Sequence, residues 1–99
     1  MIRHVVLCRF RKDADVEAIF AAITDLKQRI PGILAVTCGK DNSPEGLQKG
    51  FTHGFTVDFA DAASRDAYLP HHDHQLVGKM VVAAVDGGLE GLAVVDWEI

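Results

Sequence analysis

The sequence predicts one α+β domain, a four-stranded antiparallel sheet with its helices on one face. Three observations carry the prediction. Segments with strand-like and helix-like apolar spacing follow one another in the order β-α-β-β-α-β. The breaks between them fall where turn residues gather, at Pro31-Gly32, in the polar run 40–50 and at Gly87-Gly88. The length, 99 residues, matches a single domain, residues 1–99, and leaves no room for a second.

Residues 2–10 read as the first strand. Ile2, His4, Val6, Cys8 and Phe10 lie on one face, and Arg3, Val5, Leu7 and Arg9 on the other. Both faces are apolar at the centre, as in a strand covered on both sides. Residues 13–30 read as a helix. Asp13 is placed as its N-cap, with Asp15 and Glu17 in the first turn, where the helix dipole favours anions. Val16, Ile19, Phe20, Ile23, Leu26 and Ile30 recur at helical spacing, and Pro31-Gly32 stops the helix.

Residues 33–39 form a second expected strand and 40–50 an exposed loop. In the third strand, 51–59, Phe51, His53, Phe55, Val57 and Phe59 define a core face opposite Thr52, Gly54, Thr56 and Asp58. Asp61 starts a short helix that Pro70 breaks near residue 69. A second helical stretch runs over 72–85. In the last strand, 91–98, Leu92, Val94 and Asp96 oppose Ala93, Val95 and Trp97. The whole order is the ferredoxin-like split βαβ plan. Helices on one face leave the other open, with Val5, Leu7 and apolar members of the last strand on it. An open apolar face of that kind predicts a homodimer of sheets packed face to face about a twofold axis.

Composition narrows the function. The net charge of −4 and the scattered basic residues predict no nucleic-acid and no membrane partner. No apolar run approaches bilayer length, and residues 1–12 are interrupted by Arg3, His4 and Arg9, unlike a signal peptide. Cys8 and Cys38 sit in strand-like stretches without CxxC spacing, so both are expected to be buried, reduced thiols. Together these predict a cytoplasmic protein.

The residues that can do chemistry are the histidines. His4 and His53 share faces with large apolar residues on strands that neighbour each other in a split βαβ sheet. They are therefore expected to lie close together beneath the helices, either as core histidines satisfied locally or as the polar end of a pocket. His71, His72 and His74 fall in the run from Tyr68 to His74. His71 and His74, three apart beside Asp73, have the spacing of a metal pair, but no further ligand stands at a characteristic distance along the chain. The plain alternative is a solvated helix N-terminus. Acid–base chemistry is the stronger functional reading. A neutral imidazole takes a proton near neutral pH, and a tyrosine hydroxyl donates to a developing oxyanion. The proline-broken corner between Tyr68 and His74 can aim both toward the space between helix and sheet. No nucleophile elbow, P-loop or GxGxxG is present.

Three stretches resemble the stress-responsive dimeric α/β-barrel (Dabb) family at family spacing. They are residues 2–10, Ile-Arg-His-Val-Val-Leu-Cys-Arg-Phe; residues 51–57, Phe-Thr-His-Gly-Phe-Thr-Val; and residues 68–74, Tyr-Leu-Pro-His-His-Asp-His. The resemblance spans essentially the whole chain. It implies the ferredoxin-like fold and a dimer whose sheets form a barrel. The family is functionally mixed and includes a plant polyketide cyclase that closes a linear poly-β-keto product by an aldol reaction. If that chemistry carries over, the resemblance implies His74 as general base and Tyr68 as holder of the substrate carbonyl. It also implies ligand contacts at His4, Val6, Phe20, Ile23, His53, Phe55 and His71, with no metal and no cofactor. Two functions follow as expectations: a pocket for a small, mostly apolar carbonyl compound, with proton-transfer or cyclisation chemistry, or a non-catalytic stress protein whose histidines serve packing. A haem-dependent monooxygenase, which uses a related dimeric barrel and a single histidine ligand, is a third.

Overall fold

The computed structural model describes residues 1–99. The elements are β1 (Ile2–Cys8), α1 (Val16–Arg29), β2 (Ile33–Lys40), β3 (His53–Phe59), α2 (Ala62–Tyr68), α3 (His72–Ala84) and β4 (Leu92–Glu98). A single 3-10 turn, Gly88–Gly91, leads into β4. The sheet order is β2-β3-β1-β4 and every neighbouring pair is antiparallel, which is the expected split plan.

One face of the sheet carries the core. Ile2, Val6 and Cys8 of β1 and Phe55, Val57 and Phe59 of β3 are buried, together with Ile19, Ile23 and Leu26 of α1, Tyr68 of α2 and Val81 and Ala84 of α3. The opposite face holds Val5, Leu7, Val95 and Trp97, and the last three are exposed. The β3 side of that face is polar. There Asp58, cross-strand from Arg3, is buried and accepts two bonds from the guanidinium, at 2.9 and 3.0 Å. This bidentate pairing keeps the Asp58 carboxyl below its ordinary range, against the opposing pull of burial. A depressed carboxylate contributes stability above its unfolded pKa and loses it as pH falls through the folded one. Acid unfolding of Asp58→Asn, followed by circular dichroism, is therefore expected to be shallower below pH ~4 than in the parent, from a lower plateau at neutral pH.

The element edges differ from expectation for local reasons. Asp15, not Asp13, caps α1, accepting from the Ala18 amide at 3.1 Å, while Asp13 is engaged by Arg11. The helix accordingly starts at Val16. β1 ends at Cys8 because the chain then turns aside: Phe10 makes an isolated bridge to Val85. β3 starts at His53 because Thr52 directs both its amide and its hydroxyl to the Cys8 carbonyl. Phe51 lies outside the strand with the Arg9 guanidinium 5.0 Å from its ring centre. Gly32, after α1, has φ 91° and approaches Ser64 of α2 so closely that a Cβ would stand 2.7 Å from its side chain. Both facts require glycine there.

Candidate active site at the proline corner

Pro70 has no N–H to continue a helix, so α2 ends with Leu69 as its C-cap and the chain extends at His71 (φ −61°, ψ 136°). That break leaves backbone groups open at both ends of the corner. His71 serves one, its Nδ1 accepting from the Asp73 amide at 3.1 Å as the N-cap of α3. His74 serves the other, its Nδ1–H donating to the Leu69 carbonyl at 2.9 Å. This bond turns the His74 ring onto Tyr68, with ring centres 4.1 Å apart.

Tyr68 is 1% exposed, wedged edge-on against Phe59 at 4.9 Å and His4 at 6.0 Å. His4 is buried on β1, and its cross-strand partner on β4 is Asp96. Its Nδ1–H donates to Asp96 Oδ1 at 2.7 Å, while Asp96 Oδ2 accepts from Arg65 Nη1 at 3.2 Å. A chain of charge-assisted bonds thus runs from α2 through β4 to β1.

The three rings bound a cavity of about 210 Å³ between the sheet and the helices. Its other walls are apolar: Val6, Ile23, Phe55, Val77, Val81, Leu92 and Val94 among them. In both imidazoles Nδ1 bears the hydrogen, because its partner is a carboxylate or a carbonyl. The neutral ring then carries its lone pair on Nε2. Burial draws the His74 pKa below the ordinary imidazole value, opposed by the Leu69 carbonyl and helped by nearby His4 and His71. Burial also pushes the Tyr68 phenol up, so the hydroxyl keeps its proton as a donor. The site thus offers basic nitrogens and a phenolic donor in one largely apolar enclosure.

Asp96 is the lever that sets His4. In Asp96→Asn the Arg65-held carboxylate is gone, and an amide accepts or donates equally well. The expected outcome is a mixed His4 tautomer population by nitrogen-15 NMR, where the parent shows Nδ1–H alone.

Of the residues expected at a site, His4, Val6, Ile23, Phe55, Tyr68 and His74 meet at this cavity. His53, Phe20 and His71 do not. His53 pairs with Cys8, whereas His4 pairs with Val57, so the two histidines are four residues apart along neighbouring strands, about 13 Å. The expectation that they lie together is corrected by this register. His53 packs against Phe10 and Phe20, ring centres 5.2 and 5.8 Å away, with Nδ1 2.7 Å from the Thr52 hydroxyl. Burial, then Lys40, lowers its pKa. His71 is committed to its helix cap, and no three metal-ligating side chains converge anywhere in the chain. A wider depression of about 410 Å³ near the loop after β2 is bordered by Lys40, Asp41, Lys49 and His53.

Asp96, Arg65, Val77 and Val81 belong to the site or its support without having been singled out in the sequence. Asp96 had a usable signal: a carboxylate in the same alternating set as Leu92 and Val94 needs a buried partner. The cysteines are both free, as expected. Burial pushes the Cys8 thiol up to about 12, whereas Cys38 is only half-buried, with its sulfur 3.9 Å from the Thr24 hydroxyl.

A split β-α-β-β-α-β sheet with a histidine–tyrosine cavity under its helices defines a ferredoxin-like α+β protein. The chain belongs to the stress responsive A/B barrel domain (Dabb) family, whose model matches residues 2–99. A stress-response A/B barrel domain-containing protein of Arabidopsis thaliana is 27% identical over 85 residues, 85% of this chain and 77% of the relative. A dimeric ferredoxin-like protein of unknown function from Jannaschia sp. CCS1 is 30% identical, with a TM-score of 0.86 over 99% of this chain and 98% of that one. The Arabidopsis thaliana protein At3g17210 superposes with a TM-score of 0.90 at 24% identity, covering 100% of this chain and 95% of its own. A hydroxynitrile lyase from Passiflora edulis shares the fold at 21% identity, with a TM-score of 0.86 over 99% and 92% of the two chains. No helix is long and apolar enough to cross a membrane.

Proposed function

We propose that the chain acts as a homodimer that binds a small, mostly apolar carbonyl compound in the His4–Tyr68–His74 cavity and moves a proton on it. The observation that carries this reading is the pairing of each Nδ1–H with a fixed acceptor, Asp96 or the Leu69 carbonyl, on the wall of an apolar cavity that also holds Tyr68. His74 Nε2 takes the proton from the carbon next to the carbonyl. The electron pair moves to the oxygen, and the Tyr68 hydroxyl donates to the enolate that forms. His74, now protonated on Nε2, returns that proton to the alkoxide left when the enolate adds to a second carbonyl. The reaction class is enolisation, extending to aldol-type bond formation or cleavage. The dimeric state of solved relatives supports the dimer, as does the exposed apolar face of Leu7, Val95 and Trp97.

The test is deuterium uptake next to the carbonyl of simple ketones and β-diketones in heavy water, followed by proton NMR. Exchange faster than in an equal concentration of free imidazole is expected. Ketones that bind without faster exchange would sink the catalytic part and leave a binding protein. His53 fits the packing alternative, since its Nδ1 lies 2.7 Å from the Thr52 hydroxyl and its ring packs against Phe10 and Phe20.

A further inference from the structure

We propose that the ligand carries a straight apolar chain that leaves the cavity across Gly78, and that Gly78 sets how long a chain the protein accepts. This rests on the reading that the cavity holds the ligand. Gly78 is the middle residue of α3, where glycine destabilises a helix relative to alanine. Its backbone does not need glycine, since its φ is not among the positive values. Packing does not need it either, because a Cβ built there meets nothing within 4 Å. What the missing side chain leaves is open space, and that space joins two depressions.

On one side lies the cavity of about 210 Å³ with the imidazoles. On the other lies an open groove of about 550 Å³ between α3 and the turn before β4. Gly78 and Val82 border both. The groove continues along Ala83 to Leu89, whose side chain is 75% exposed. Gly78 stands four residues after His74, one turn on along the same helix face. A carbonyl held at Tyr68 and His74 thus starts a path whose next helical position is bare backbone and whose far wall is apolar. The ligand class this fits is an amphiphile with a compact carbonyl head and an unbranched alkyl tail.

The test is calorimetric binding of straight-chain methyl ketones, lengthened one carbon at a time, to the parent, Gly78→Ala and Gly78→Val. In the parent, affinity is expected to rise about fourfold for each methylene buried in the inner cavity, and about twofold for each one lying along the open groove. In Gly78→Val the rise is expected to stop once the inner cavity is full, so that the loss of affinity relative to the parent grows with each added carbon. Gly78→Ala is expected to melt at a higher temperature than the parent, which shows the fold intact, and to bind the longer ketones more weakly. An unchanged chain-length profile in both variants overturns the proposal while leaving the pocket reading in place. Failure of the parent to bind ketones of any length overturns both.

Discussion

His74→Ala is expected to slow deuterium exchange on a bound ketone by about 10²–10⁴-fold, the usual contribution of a positioned general base. The loss should fall on the rate at saturation more than on binding, because the walls of the cavity remain. Tyr68→Phe keeps the buried ring that packs on Phe59 and His4, and removes only the hydroxyl. Its expected cost is about 10²-fold, the scale of one lost oxyanion donor. The pH profile offers a separate check. Since burial lowers the His74 pKa, the basic form persists below the ordinary imidazole value near 6.5. Activity should therefore hold on acidification to below pH ~6.5 before it falls. A variant series in which neither substitution slows exchange, or an acid limb above neutral pH, would remove His74 from the role of base.

The second large effect concerns assembly. Val95 and Trp97 are 58% and 49% exposed on the open sheet face, in line with Leu7 and Val5 on the adjoining strand. Val95→Glu with Trp97→Glu places two carboxylates on each copy where apolar sheets meet, and like charges then face each other across the twofold axis. Light scattering at micromolar concentration is expected to give dimer for the parent and monomer for the double variant. A parent that runs as a monomer, or a double variant that stays dimeric, would place the interface elsewhere.

The fold was legible because its signals are local. Period-two and helical spacing mark β1, β3 and α1 through Val6, Phe55, Ile19 and Ile23, and Pro70 and Gly32 punctuate the chain where backbone chemistry demands. The site was legible only in part, and the dividing line is register. Tyr68 and His74 lie across a short corner, so their meeting depends on few bonds. His4 and His53 lie on different strands, and strand adjacency says nothing about which residues stand opposite. The Cys8–His53 pairing decided that, and it moved His53 and Phe20 to the far end of the core. Asp96 was missed for the same reason: its value comes from standing opposite His4 and beneath Arg65.

β4 has no idle side. Val94 and Asp96 look toward the cavity, and Val95 and Trp97 look away from it. Deleting one residue ahead of Val94 would invert that arrangement along the whole strand. Trp97 would arrive where the imidazole needs its carboxylate, and Asp96 would be thrust among aliphatic side chains on the outer surface. Length in this last segment is thus held more tightly than identity: many single exchanges alter one property, whereas a frame slip of one position erases the pocket and the mating surface in the same stroke.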